Sequence, residues 1–96
     1  MTLKILSEPS SRESSDEIAR DLKTAIEKAI ADADARVTAT SPGHFEISVT
    51  SDAFEGKGRV QQQQLVYAAI AHLMKGDAAP VHAVDQLKTL LPGLAG

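Results

Sequence analysis

His44, His72 and His82 are the only imidazoles in the chain, and no cysteine accompanies them. A disulfide framework is therefore excluded, as is any metal site built from the chain's own thiolates. Among side chains able to bind a transition metal as neutral nitrogen donors, the three histidines are what remains. His82 lies in the apolar run Val81-His82-Ala83-Val84, and His44 opens an alternating segment beside the turn residues Pro42-Gly43. His72 falls at the edge of a helical stripe, roughly 110° from its centre, which fits a solvated helix residue. The plainer readings are a strand-end histidine bonded to backbone for His82, and a surface histidine packing on Phe45 or capping the turn for His44.

Nothing in the sequence is arranged for catalysis. It has no cysteine nucleophile, nucleophile-elbow pattern or phosphate loop. Glu46 and Asp52 stand on a strand and its exit, six residues apart. Gly56-Lys57-Gly58-Arg59 places two cations among glycines, a small basic patch at most. Formal net charge is −3. Residues 1–35 carry five Lys/Arg against eight Asp/Glu, and residues 36–96 carry five of each, so neither part is basic. Non-specific nucleic-acid binding depends on cations neutralising phosphates, so this balance argues against strong DNA or RNA affinity. No apolar run approaches the roughly 20 residues of a membrane span, and residues 1–6 are too short for a signal peptide. The expected location is the cytoplasm.

A scaffold of ordinary size must position these residues. Ninety-six residues make one domain. Aromatics are only 3% (Phe45, Phe54 and Tyr67), so the core must rest mainly on Ile, Val, Leu and Ala. Residues 1–13 carry loop-formers and no apolar period, and read as a flexible tail. Ser14-Ser15-Asp16-Glu17 is a capping-box pattern with Ser14 as N-cap. Ile18, Leu22, Ala25, Ile26, Ala29, Ile30 and Ala33 follow on an arc of roughly 140°, predicting an amphipathic helix that ends near Asp34. Residues 36–40 alternate weakly. His44-Phe45-Glu46-Ile47-Ser48-Val49-Thr50 alternates cleanly, the signature of a sheet covered on one side. Ser41-Pro42-Gly43 between them predicts a hairpin turn.

A loop over 51–59, with one helical turn near Ala53-Phe54, leads to a second helix over about 60–74. Its stripe is Val66, Ala69, Ile70 and Leu73, and Lys75-Gly76 stop it. A third strand runs from Val81 to about Leu87, followed by a short helical turn over 88–91. Residues 93–96 form a frayed end. The order α-β-β-α-β makes this an α+β domain over 14–92. A crossover through a helix makes the strands it joins parallel, which predicts a three-stranded mixed sheet with the helices on one face.

Two stretches carry a family resemblance. His44-Phe45 begins an alternating strand that runs into Ser51-Asp52-Ala53-Phe54-Glu55-Gly56-Lys57, and Val81-His82-Ala83-Val84 stands ten residues before Pro92. With Leu65-Val66-Tyr67 between them, in consistent order over 16–92, they resemble the BolA family. The resemblance implies a KH-like α/β fold, in agreement with the element order. It also implies a non-enzymatic adaptor that works with a monothiol glutaredoxin around a bridged [2Fe–2S] cluster, in cluster trafficking or iron- and stress-linked regulation. Sulfur would come from the glutaredoxin and its glutathione, and this chain would add nitrogen; imidazole in place of thiolate tunes such clusters. No cofactor is expected in the isolated chain.

On this resemblance His82 matches the family's shared histidine and is the first metal-ligand candidate. His44 is the second. The family's Cys or His in the loop before this strand is missing from Thr40-Ser41-Pro42-Gly43, which leaves only His44 at the strand's edge. Gln62-Gln63-Gln64 stand where the family often carries a basic Arg-His-Arg cluster. The alternative function is a DNA-binding regulator that uses the KH-like surface with Lys57 and Arg59. A KH loop is Gly-x-x-Gly, whereas the spacing here is Gly-x-Gly. Self-association into a homodimer is compatible with the sequence, and a membrane partner is not expected.

Overall fold

The computed structural model describes residues 14–93. Its elements are α1 (Ser15–Ala29), β1 (Asp34–Ser41), β2 (His44–Thr50), a 3-10 turn (Asp52–Phe54), α2 (Arg59–Met74) and β3 (Ala83–Leu90). The predicted tail over 1–13 lies outside the described residues, as do residues 94–96 of the predicted frayed end. Strand order is β1-β2-β3. The hairpin β1–β2 is antiparallel and β2–β3 is parallel, so the mixed α+β sheet of the sequence reading is present.

Ser14 caps α1 as its sequence requires: its Oγ accepts from the Glu17 N–H at 3.2 Å, and Asp16 and Glu17 sit at the positive end of the helix dipole. The helix stops five residues earlier than its apolar stripe suggests. Asp32 takes a left-handed conformation, φ 54°, and the chain leaves the helix so that Asp34 can begin β1. Ala29, placed on the buried stripe by its spacing, is exposed at the helix end. The start of β1 is clamped to the helix: the Glu27 carboxylate accepts from Lys23 Nζ at 2.8 Å and from the Ala35 N–H at 2.9 Å. The Lys23 hydrogen bond and then the Ala35 one hold the Glu27 carboxyl below the usual carboxylate range.

Leu22 and Ile26 of α1, Ile30 just after it, Val66 and Ile70 of α2, Phe45, Ile47 and Val49 of β2, and Phe54 and Val81 share one buried core. Both helices thus cover the same face of the sheet. The opposite face keeps Arg36, Thr38, Glu46, Gln86 and Lys88 in solvent.

Ser51 is the one buried polar side chain among the described residues. Its hydroxyl donates to the Ala31 carbonyl at 2.6 Å and accepts from the Ala53 N–H at 3.0 Å. The serine of the Ser-Asp-x-Phe stretch is therefore a buried cap that places Phe54 in the core.

Two expectations need correction. The segment over 88–91 is not a helical turn: Lys88, Thr89 and Leu90 pair with Ser48, Val49 and Thr50. Ladder hydrogen bonds to the central strand outweigh the weak local preference. Nor do Val81 and His82 lie within β3. Val81 is buried and its N–H donates to the Leu73 carbonyl at 3.2 Å, tying it to the end of α2; the strand begins at Ala83.

Candidate metal site

β2 and β3 run parallel, so both begin at the same end of the sheet, and His44 and Ala83 are register partners. His82 and His44 therefore stand at one edge of the domain, joined through the hairpin turn. The Gly43 carbonyl accepts from the His82 N–H at 2.8 Å and from the Ala83 N–H at 3.1 Å.

The His82 ring lies directly on Gly43. A Cβ at position 43 would sit 2.8 Å from His82 Nδ1 and 2.9 Å from Cγ. Only glycine leaves room for this ring, and glycine also suits the turn, since φ there is +80°. His82 is exposed. Among the described residues neither of its ring nitrogens has a hydrogen-bond partner, and the strand-end backbone bond is made by its N–H.

His44 is half-exposed and already oriented. Its Nδ1 lies 3.0 Å from Asp85 Oδ1, and Thr40 Oγ1 donates to Asp85 Oδ2 at 2.9 Å. The His44 and then the Thr40 hydrogen bond hold the Asp85 carboxyl below the usual carboxylate range. Facing a carboxylate, which accepts when ionised, His44 Nδ1 is placed to donate. In the neutral ring Nε2 then keeps its lone pair, the arrangement found behind metal-binding histidines.

Asp85 reaches this position through an irregularity. Phe45 pairs with Val84 and Glu46 with Gln86, which leaves Asp85 as an extra residue in β3. Such a bulge re-aims a side chain, here across β2 to Thr40 on β1.

His72 is exposed on the last turn of α2 and joins neither ring. Lys57 and Arg59 are exposed beyond the other end of β2. A strand of seven residues separates them from His44 by about 20 Å, so the two candidate surfaces are distinct. Among the described residues no group of three or more His, Cys, Asp or Glu gathers to hold a metal. His82 and His44 therefore do not by themselves make a closed metal site among the described residues. No helix among the described residues is long and apolar enough to cross a membrane.

Sequence reasoning did not find Asp85, Thr40, the floor provided by Gly43, or the role of Gln62. The Gln62 amide donates to the carbonyls of Phe54 and Lys57 at 3.1 and 2.8 Å and accepts from Thr89 Oγ1 at 2.6 Å. It ties the 3-10 turn, the loop after it and β3 to α2.

Residues 19–92 match the family model described as BolA-like protein. Among solved structures, the chain resembles a Bol-like protein from Babesia bovis at 31% identity, over 78% of this chain and 85% of that one, with a TM-score of 0.65. A BolA homologue from Coxiella burnetii is 32% identical over 76% of this chain and 88% of that one, with a TM-score of 0.60. BolA1 from Arabidopsis thaliana, at 18% identity, shares the fold over 81% of this chain and 95% of that one, with a TM-score of 0.68. No curated protein matches the chain.

Proposed function

The chain belongs to the BolA-like protein family, and on that footing we propose that it is a non-enzymatic adaptor contributing imidazole ligation to a [2Fe–2S] cluster bridged to a monothiol glutaredoxin. The observation that carries this reading is His82: an exposed ring, seated on Gly43, with both nitrogens unengaged among the described residues. The donor set suits the group. The chain has two imidazoles at one edge and no thiolate, so it complements a partner that brings sulfur. A cluster with mixed nitrogen and sulfur ligation has a higher reduction potential than an all-thiolate one, which gives such an adaptor a means of changing how the cluster is used or passed on. DNA regulation would rest on Lys57 and Arg59 alone, on a chain of net charge −3, and is the weaker reading.

The test is to mix the chain with a monothiol glutaredoxin and glutathione, reconstitute with iron and sulfide, and record absorption and circular dichroism. The wild-type chain is expected to change the spectrum of the glutaredoxin cluster, and His82→Ala to abolish most of that change. A spectrum identical to that of the glutaredoxin alone, with wild type present in excess, would remove the proposal.

A further inference from the structure

We infer that Asp85 is a positioning residue that holds His44 in the Nδ1–H tautomer and presents its Nε2 as the second nitrogen donor. The inference rests on the glutaredoxin reading for what His44 binds, but not for how His44 is held.

Three strands converge on one carboxylate. Thr40 comes from β1, His44 from β2 and Asp85 from β3, with contacts of 2.9 and 3.0 Å. Both carboxylate oxygens are engaged, one by each partner, so the carboxylate plane cannot rotate freely. The bulge leaves Asp85 and Gln86 together on the outer face, between the core-facing Val84 and Leu87, so Asp85 is free to reach His44 and Thr40. Asp85 and His44 have side chains 41% and 42% exposed. A pair that open to water contributes little to folding, so holding the fold together is a poor explanation for it. Its geometric effect on the ring is strong. With Nδ1 donating to a carboxylate, Nε2 is the only nitrogen of the neutral ring that can bind a metal, and the ring cannot flip to exchange them without losing its partner.

The experiment uses the full chain labelled with 15N and reads the tautomer of each histidine from two-bond nitrogen–proton correlations. Wild-type His44 is expected in the Nδ1–H form. Asp85→Ala should lose that preference. Asp85→Asn, whose amide oxygen can still accept from Nδ1, should restore much of it, and urea unfolding midpoints should be close to wild type for both. In the glutaredoxin complex, Asp85→Ala should shift the cluster's dichroism in the same direction as His44→Ala. An Asp85→Ala chain that keeps the wild-type tautomer overturns the inference, whatever the cluster does. A His44→Ala shift that Asp85→Ala does not share overturns it too. Spectra unmoved by both His82→Ala and His44→Ala refute the glutaredoxin reading and take the ligand role of His44 with it, while the tautomer data still report on Asp85 separately.

Discussion

Phe54→Ala is expected to destabilise the fold by about 3–5 kcal/mol, as is usual for deleting a fully buried phenylalanine. For a small domain whose whole stability is about 5–15 kcal/mol, this approaches unfolding. Phe54 is 0% exposed and shares its buried core with Phe45, the chain's only other phenylalanine. It is also pinned from both sides. Ser51 caps the 3-10 turn that carries it, and Gln62 binds its carbonyl from α2. A rigid surround collapses poorly into a cavity, which favours the upper part of the range. Urea unfolding should show a lower midpoint with an unchanged slope. Val60→Ala is the control: Val60 is 66% exposed, and its loss should fall within about 0.5 kcal/mol. A Phe54→Ala cost below about 1 kcal/mol would mean that the segment after β2 is not anchored as described.

Gly43→Val should remove the contribution of His82 without touching His82 itself. Two costs combine at this position. A non-glycine residue at φ +80° pays about 1–2 kcal/mol for the left-handed conformation, and a β-branched one is worse placed still. A Cβ would also lie 2.8 Å from the imidazole, so either the ring swings away or the turn opens and weakens the bonds from the His82 and Ala83 N–H groups. Both routes displace His82 from the edge it shares with His44. Gly56→Ala separates the two costs. Gly56 also has φ +80°, but nothing lies within 4 Å of a Cβ there. Gly56→Ala should lose only the smaller, unbranched left-handed term and keep the full spectral change on the glutaredoxin cluster. Gly43→Val should lose that change. Equal spectra for the two variants would show that the seat under His82 does not matter.

What could be read from the sequence was local. The alternation of His44 to Thr50 predicts a half-buried strand, and the structure buries Phe45, Ile47 and Val49 while leaving Glu46 in water. The Ser14 cap needs only the four residues Ser14 to Glu17 to be recognised. The helix end at Ala29 was less visible, because the apolar spacing continues through Ala33 and only the left-handed Asp32 interrupts it. The family resemblance drew attention to His82, but not to its position one residue before β3. That is set by a hydrogen bond to Gly43, thirty-nine residues away in sequence.

Asp85 was illegible for a related reason. A bulge is a property of two strands in register, and one strand's sequence does not show where the extra residue falls. The glutamine run makes the same point. Gln62 and Gln64 are chemically identical and two positions apart on α2, yet Gln62 bridges three segments and Gln64 is exposed. Rotation about the helix axis decides between them, and only the packed structure fixes that rotation.

Nitrogen from this chain at the iron can be observed directly. The chain, with 15N-labelled histidine, is assembled with an unlabelled monothiol glutaredoxin and glutathione, the cluster is reduced by one electron, and pulsed electron paramagnetic resonance reads the hyperfine coupling. Strong 15N coupling that is reduced in His82→Ala and lost when His82→Ala and His44→Ala are combined is expected. A fully assembled, reduced cluster in the mixed complex with no 15N coupling would place every ligand on the partner, and the imidazole resting on Gly43 would need another purpose.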